Sequence, residues 1–373
     1  MDTENQKFVS SNLKIERNDI DEIKDPKKIN FNNHNKIFNF FFIIKILIFL
    51  GILFNLKRII NKESGVELPE ISFQKFNESV LQEIKKSQME FCYNQTKYKK
   101  KKFEKHIKLA NASLLDKRFY MYIYDNQDIV SYYINLVKNY EATETIKLVN
   151  ALKYYSSLKK ISNDDIYILD IGANVGWYTF FFGKCGYHVL SFEASDVNGY
   201  ILRKNFCLNP NSNITLIKKA LYNEEKKCDY YTHRGNIGNG LILCDNKNIK
   251  KEYIKTGEIY LTKLSNYIEF LSTKNLALIK IDIEGSEGKA IESGIELISK
   301  YHVPFIFLEF TPRLLKLHGV EPMKFLEMFE MNGYKFAKQH FFDNNYYTKQ
   351  EIMEKSKIIA INLFIIYSNI LKK

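Results

Sequence analysis

From about Asp116 onward the chain alternates between two hydrophobic rhythms. Short apolar runs of strand length, "IYILDIG", "YHVLSFEA", "ITLIKKAL", "LALIKIDIEG" and "VPFIFLEF", are separated by stretches with helical spacing, among them "NGYILRKNFCL", "EGKAIESGIELISK" and "PMKFLEMFEMNG". Runs without a polar face suit strands buried on both sides, and intervening helices supply the crossovers that parallel strands need. The order predicts an α/β fold, a doubly wound, mostly parallel Rossmann-like sheet with helices on both faces. A helical stretch from Ile129 to Leu158 precedes the first strand, and two strands, near "YKFAKQ" and after Ile358, close the chain. The segment between "KKAL" and "LALIK", about fifty residues, is too long for a bare crossover. It reads as a Gly-turned hairpin, "YYTHRGNIGNGLILC", followed by a strand and helix, "EIYLTKLSNYIEFL". Inserts at sheet ends commonly build acceptor pockets.

Upstream the pattern changes. Residues 1–36 are polar and Asn-rich and read as a disordered tail. The run Ile37 to Leu56 has the length of about 20 residues that a helix needs to span a membrane. Lys45 near its middle costs about 3 kcal/mol, less than the Phe, Ile and Leu residues return. Residues 57–115 read as a basic stem and residues 116–373 as the folded domain. A cleaved signal peptide fits poorly, because a long polar tail precedes the run and no small-residue cleavage site follows. Basic residues on its two sides nearly tie, so orientation rests on N-x-S/T sequons: Asn77, Asn94, Asn111 and Asn213 all lie C-terminal to the run. The expectation is a single-pass type II membrane glycoprotein with its C-terminal domain in the lumen of the endoplasmic reticulum or Golgi.

With 373 residues, 45% of them hydrophobic and 26% charged, the chain can bury a substantial core. The net charge of +12 is concentrated in "KYKKKKFEKHIK", Lys97 to Lys108, which reads as a solvated segment. No zinc-finger spacing or aromatic RNA-binding pattern accompanies it, so no nucleic-acid partner is expected. Cys92, Cys185, Cys207, Cys228 and Cys244 are an odd set without CxxC spacing, which indicates neither a metal site nor a disulfide framework.

Two stretches carry chemistry. In "LDIGANVG" a buried strand ends in Asp170 and runs into a loop where Gly172 and Gly176 let the backbone turn sharply at a helix N-terminus. Asn174 stands where a dinucleotide fingerprint needs Gly, and no GK[ST] follows, so neither that motif nor a P-loop is present. Glu193, at the end of the next strand, occupies the place where doubly wound folds grip a ribose. In "LALIKIDIEGSEG", Lys280, Asp282 and Glu284 alternate with Ile279, Ile281 and Ile283, a period that sets the charges on one face. Such a break in a strand that should be wholly apolar marks a site, or else a self-satisfied Lys–carboxylate cluster capping the next helix. His188, His302 and His340 read as structural or exposed, His233 and His318 as secondary base candidates, and Trp177 as a packing residue.

"DIGANVGWYT", "FEAS" and "IKIDIEGSEGKAIESG" together resemble the FkbM family of S-adenosylmethionine-dependent methyltransferases, and the likeness runs from about Asp128 to Ile366. "DIVSYYINLVKNYE" is similar to the family's segment ending in an aromatic–Glu pair, here Tyr140-Glu141. The resemblance implies O-methylation of a hydroxyl. It sets Asp170, Gly172, Asn174 and Gly176 along the amino-acid part of S-adenosylmethionine, Glu193 on its ribose and Ala220 near its adenine, with the glycines making room for it. Asp282 is then the base or acceptor-orienting group, accompanied by Glu284 and Lys280, and no metal ligand is named. A lumenal domain points to a glycan or lipid-linked sugar as acceptor. Two other classes stay open: a binding protein that keeps the fold without the chemistry, and a nicotinamide-dependent oxidoreductase of similar topology, which Asn174 disfavours.

Overall fold

The computed structural model describes residues 75–98, 101–125, 128–210, 213–244 and 251–371. Its centre is an eight-stranded sheet. Strands β3 (Ile166–Ile171), β4 (His188–Phe192) and β5 (Ile214–Ile217) run parallel on one side, and β10 (Asn275–Ile281) and β11 (Phe305–Phe310) continue the parallel set on the other; β14 (Ile361–Tyr367), β12 (Tyr334–Ala337) and β13 (Tyr346–Tyr347) complete it antiparallel. The order β13-β12-β14-β11-β10-β3-β4-β5 makes the sheet mixed and doubly wound. The chain leaves β3 toward β4 and later returns beside it as β10, so the winding reverses between β3 and β10. Ligands of open α/β sheets bind at the carboxyl ends of the strands at such a reversal.

One face of the sheet carries Ile166, Ile168 and Leu278 and is packed by Trp177, Phe181 and Phe182 of the helix Trp177–Lys184 and by Leu148 and Leu152 of the helix Ala142–Lys159. The other face, with Leu169, Ile171, Ile279 and Ile306, packs against Ile291, Leu326 and Phe329. The stretch predicted as helical from Ile129 to Leu158 is two helices, Ile129–Val137 and Ala142–Lys159. The break falls between Lys138 and Glu141, both at positive φ. The insert forms β7 (Lys227–His233), β8 (Asn236–Leu243) and β9 (Tyr253–Thr262), turning at Arg234-Gly235 and joined by β6 (Ala220–Leu221) in the order β6-β9-β7-β8.

The segment read as a stem contributes structure of its own. The helix Glu78–Tyr93 starts at Asn77, whose side chain accepts from Val80 N, and buries Leu81, Ile84 and Phe91. Its Gln88 caps the free edge of β5, donating to Ile214 O at 3.1 Å and accepting from Leu216 N at 2.7 Å. A hairpin of β1 (Ile107–Leu114) and β2 (Lys117–Tyr124) follows, so the lysine-rich run ends inside a strand.

Two expectations are corrected. Cys92 is bonded to Cys207 and Cys228 to Cys244, leaving Cys185 free. The partners are 115 and 16 residues apart, pairings that spacing motifs do not reveal and that only the packing of helices and strands creates. The single-pass membrane placement is also withdrawn: among the described residues no helix is long and apolar enough to cross a membrane. The run Ile37 to Leu56, on which that placement stood, lies outside the described residues.

Candidate active site

At the C-terminal end of β3 the chain enters the loop Gly172–Gly176, and three of its residues take positive φ: Gly172 at 82°, Asn174 at 54° and Gly176 at 98°. Gly172 N and Ala173 N both donate to Phe192 O at 3.0 Å, which ties the loop to the end of β4. The glycines serve close packing within the protein. A Cβ on Gly172 would lie 1.9 Å from the carbonyl oxygen of Asp282, and one on Gly176 would lie 2.5 Å from the Phe180 ring. Close packing within the protein thus already requires glycine at both positions.

Asp170 is buried and turned inward: its Oδ2 accepts from the Thr179 hydroxyl at 2.5 Å, and Thr179 in turn meets Ser191 at 2.6 Å. Glu193 lies beside the loop. Its Oε2 accepts from Asn174 N at 2.8 Å and its Oε1 from Ser195 N at 2.7 Å. Burial pushes this carboxyl up to about 7, partly offset by those two backbone donors. Ala220 is buried in a separate small core with Tyr222, Tyr230 and Leu261.

The predicted alternation of Lys280, Asp282 and Glu284 holds only in part, because β10 stops at Ile281. Asp282 N donates to Ile171 O at 3.0 Å, and beyond it Glu284 takes φ 54° and Gly285 φ 97° in a turn. Gly285 is pressed against Leu314, where a Cβ would come within 2.6 Å. Lys280, 5% exposed, donates from Nζ to Gly172 O at 2.9 Å and lies 3.6 Å from Asp170 Oδ1 and 3.9 Å from Asp282 Oδ2. The Asp282 side chain is 40% exposed, so it belongs to the rim while Lys280 belongs to the floor.

Several site residues escaped the sequence reading. Glu309, in β11, brings a carboxylate oxygen within 4.8 Å of one from Asp282 and one from Glu284, a grouping able to take a cation. Burial, reinforced by the charges of Asp282, Glu284, Glu287 and Glu141, holds the Glu309 carboxyl well above the ordinary range. It was detectable by the anomaly that exposed Lys280, one acid inside the apolar run "VPFIFLEF". Glu141, noted only for its place in a resemblance, accepts from the Tyr178 hydroxyl at 2.7 Å, and burial raises its carboxyl. Glu141, Asn174 and Glu284 are all non-glycine residues at positive φ, a strain that collects at functional sites. From the insert, Gly238 O accepts from Asn174 Nδ2 at 3.3 Å and from Asn198 Nδ2 at 3.0 Å, bringing the hairpin down on the loop. Of the histidines, His233 Nδ1 accepts from Gly235 N, and His318 is buried beside the Tyr222 ring.

No curated protein matches the chain by sequence. Among solved structures, the bifunctional kinase-methyltransferase WbdD matches at 9% identity over 60% of this chain, with a TM-score of 0.34; the match spans 38% of the WbdD chain. An O-methyltransferase from Bacillus cereus, solved in complex with SAH, matches at 12% identity over 64% of this chain and 96% of its own, TM-score 0.30. Magnesium protoporphyrin IX methyltransferase from Synechocystis PCC 6803 matches at 9% identity over 64% of this chain and 83% of its own, TM-score 0.31. The model of the methyltransferase FkbM domain matches from Asp170, at the end of β3, to Phe336 in β12. This chain therefore carries a methyltransferase FkbM domain over residues 170–336.

Proposed function

We propose that the chain is an S-adenosylmethionine-dependent O-methyltransferase. The observation that supports this most directly is the meeting, at the carboxyl ends of β3, β4 and β10, of the Gly172–Gly176 loop, Glu193 and Asp282. The residues fit the cofactor. A carboxylate offers about four lone pairs, and backbone donors use one on each oxygen of Glu193. The Asn198 side chain also bonds to it, which leaves about one lone pair for a ribose hydroxyl, on a carboxylate already fixed before binding. Asn174 and the loop backbone would flank the amino-acid part. The bound cofactor supplies an already activated methyl group, so the protein's own work is to align an acceptor, exclude water and take a proton.

Asp282 is the residue proposed to take that proton. It lies on the rim, open enough to meet an acceptor, and a carboxylate within hydrogen-bond reach of a hydroxyl is worth typically a hundred- to ten-thousandfold as a base. Glu284 and Glu309, grouped with it, are suited to hold neighbouring hydroxyls of one acceptor. A glycan or lipid-linked sugar, with adjacent hydroxyls, is the acceptor class this favours. Calorimetry with S-adenosylmethionine and with NAD tests the cofactor. Binding of the first alone is expected; binding of NAD alone would replace this reading with an oxidoreductase. Mass spectrometry of sugar acceptors for an added methyl group then tests the chemistry, and cofactor binding with no transfer to any hydroxyl would leave only a binding protein.

A further inference from the structure

Lys280 is a charged side chain in the middle of the sheet, paired in register with Asp170 on β3 and Phe307 on β11. Burying an ammonium is costly unless it is both paired and hydrogen-bonded. Here Asp170 and Asp282 pair it, and Gly172 O receives its hydrogen bond at 2.9 Å. The Tyr178 ring lies 5.5 Å from the same ammonium, and the Tyr178 hydroxyl reaches Glu141. Burial alone would lower the Lys280 ammonium, but the charges of Asp170, Asp282, Glu141 and Glu193 together outweigh burial and raise the group above its ordinary value. A side chain 5% exposed, with its ammonium paired to two carboxylates and bonded to Gly172 O, is shielded from a bulky acceptor.

Gly172 is correspondingly held from both ends of its peptide units. Its N–H is fixed to Phe192 O, its carbonyl to Lys280, and its Cα is pressed against the Asp282 carbonyl. We infer that Lys280 is a positioning residue, whose ammonium fixes the Gly172 carbonyl and with it the loop that receives the amino-acid end of the cofactor. The inference rests on the cofactor reading above and narrows the role of Lys280 from catalysis to alignment.

The test uses the full chain and two probes, S-adenosylmethionine and 5′-methylthioadenosine, which keeps the adenosine and lacks the amino-acid end. Lys280→Met is expected to weaken S-adenosylmethionine about tenfold or more, while 5′-methylthioadenosine, held through Glu193, changes by less than about twofold. Adding Asp170→Asn removes the unpaired buried carboxylate, and should restore melting temperature without restoring S-adenosylmethionine affinity. Equal losses for both probes would mean general damage to the fold, and recovered affinity in the double variant would mean that Lys280 acts only by neutralising Asp170; either overturns the inference. Should Lys280→Met fail to fold, the double variant alone decides by the same comparison of probes. A native chain that binds neither probe removes the cofactor reading itself, an outcome distinct from every variant result.

Discussion

Asp282 and Glu193 divide the proposed work between rim and floor, and their surroundings set what each substitution should do. Asp282 is partly exposed; its backbone N–H is bonded to Ile171 O, and its carboxylate makes only a long ion pair, 3.9 Å, with Lys280. Asp282→Asn should therefore keep cofactor affinity while methyl transfer to a verified acceptor falls about a hundredfold or more; unchanged turnover would make Asp282 structural and bring His233 and His318 forward. Glu193→Ala should weaken S-adenosylmethionine about ten- to a hundredfold by calorimetry, the loss expected for hydrogen bonds to a charged group. Burial also holds Glu287, whose Oε1 accepts from Ile283 N, at about 7, above its ordinary 4.5. Between those values the folded chain holds more protons than the unfolded one. The stability this carboxyl contributes is thus full below about 4.5 and lost as pH rises through about 7. Glu287→Gln should lessen, though not abolish, the decline in unfolding free energy between about pH 4.5 and about pH 7, to which Glu193 contributes in the same sense, measured by denaturant titration; parallel curves would exclude Glu287 as a contributor.

The elements show what periodicity can and cannot reveal. Each parallel strand was visible as an apolar run, and the hairpin of the insert as a Gly turn. The boundary of β10 was not, because the alternation of isoleucines with charged residues runs on through Ile283 and Glu284, past the strand's end at Ile281 and into the turn at Glu284 and Gly285. Gly172 was read as a ligand-facing glycine; the Asp282 carbonyl, a neighbour more than a hundred residues away, is a further demand that local pattern does not reveal. Gly172→Ala should cost about 1–3 kcal/mol in denaturant unfolding, since the new Cβ meets backbone and the residue is held at φ 82°. An unaffected midpoint would mean that the loop shifts freely. The bond Cys92–Cys207 joins the helix Glu78–Tyr93 to the helix Asp196–Leu208. Replacing both cysteines by serine should lower stability by about 2–4 kcal/mol, and peptide mapping without reduction should recover the crosslinked pair from the native chain.

For the whole molecule, the unexpected contribution is that of residues ahead of the methyltransferase domain. Gln88 satisfies the backbone of β5, an edge that would otherwise present unpaired groups as a template for another chain. A chain shortened to begin near residue 110 should melt lower and scatter more light on concentration than one beginning at residue 75. Equal behaviour would show that the helix Glu78–Tyr93 is dispensable.

The sequence by itself determined the doubly wound α/β class and the family match of residues 170–336, because burial on both faces and sharp turns at strand ends write themselves into local composition. Only the tertiary structure decided where charges point and what touches what. Asp170 and Lys280 are adjacent through strand pairing across 110 residues of chain. Glu141 and Glu309 join the site from separate elements, and two disulfides close between distant cysteines. Local pattern records whether a residue is buried; its partner is set by the register of the sheet and the packing of helices on it, which no window of sequence contains.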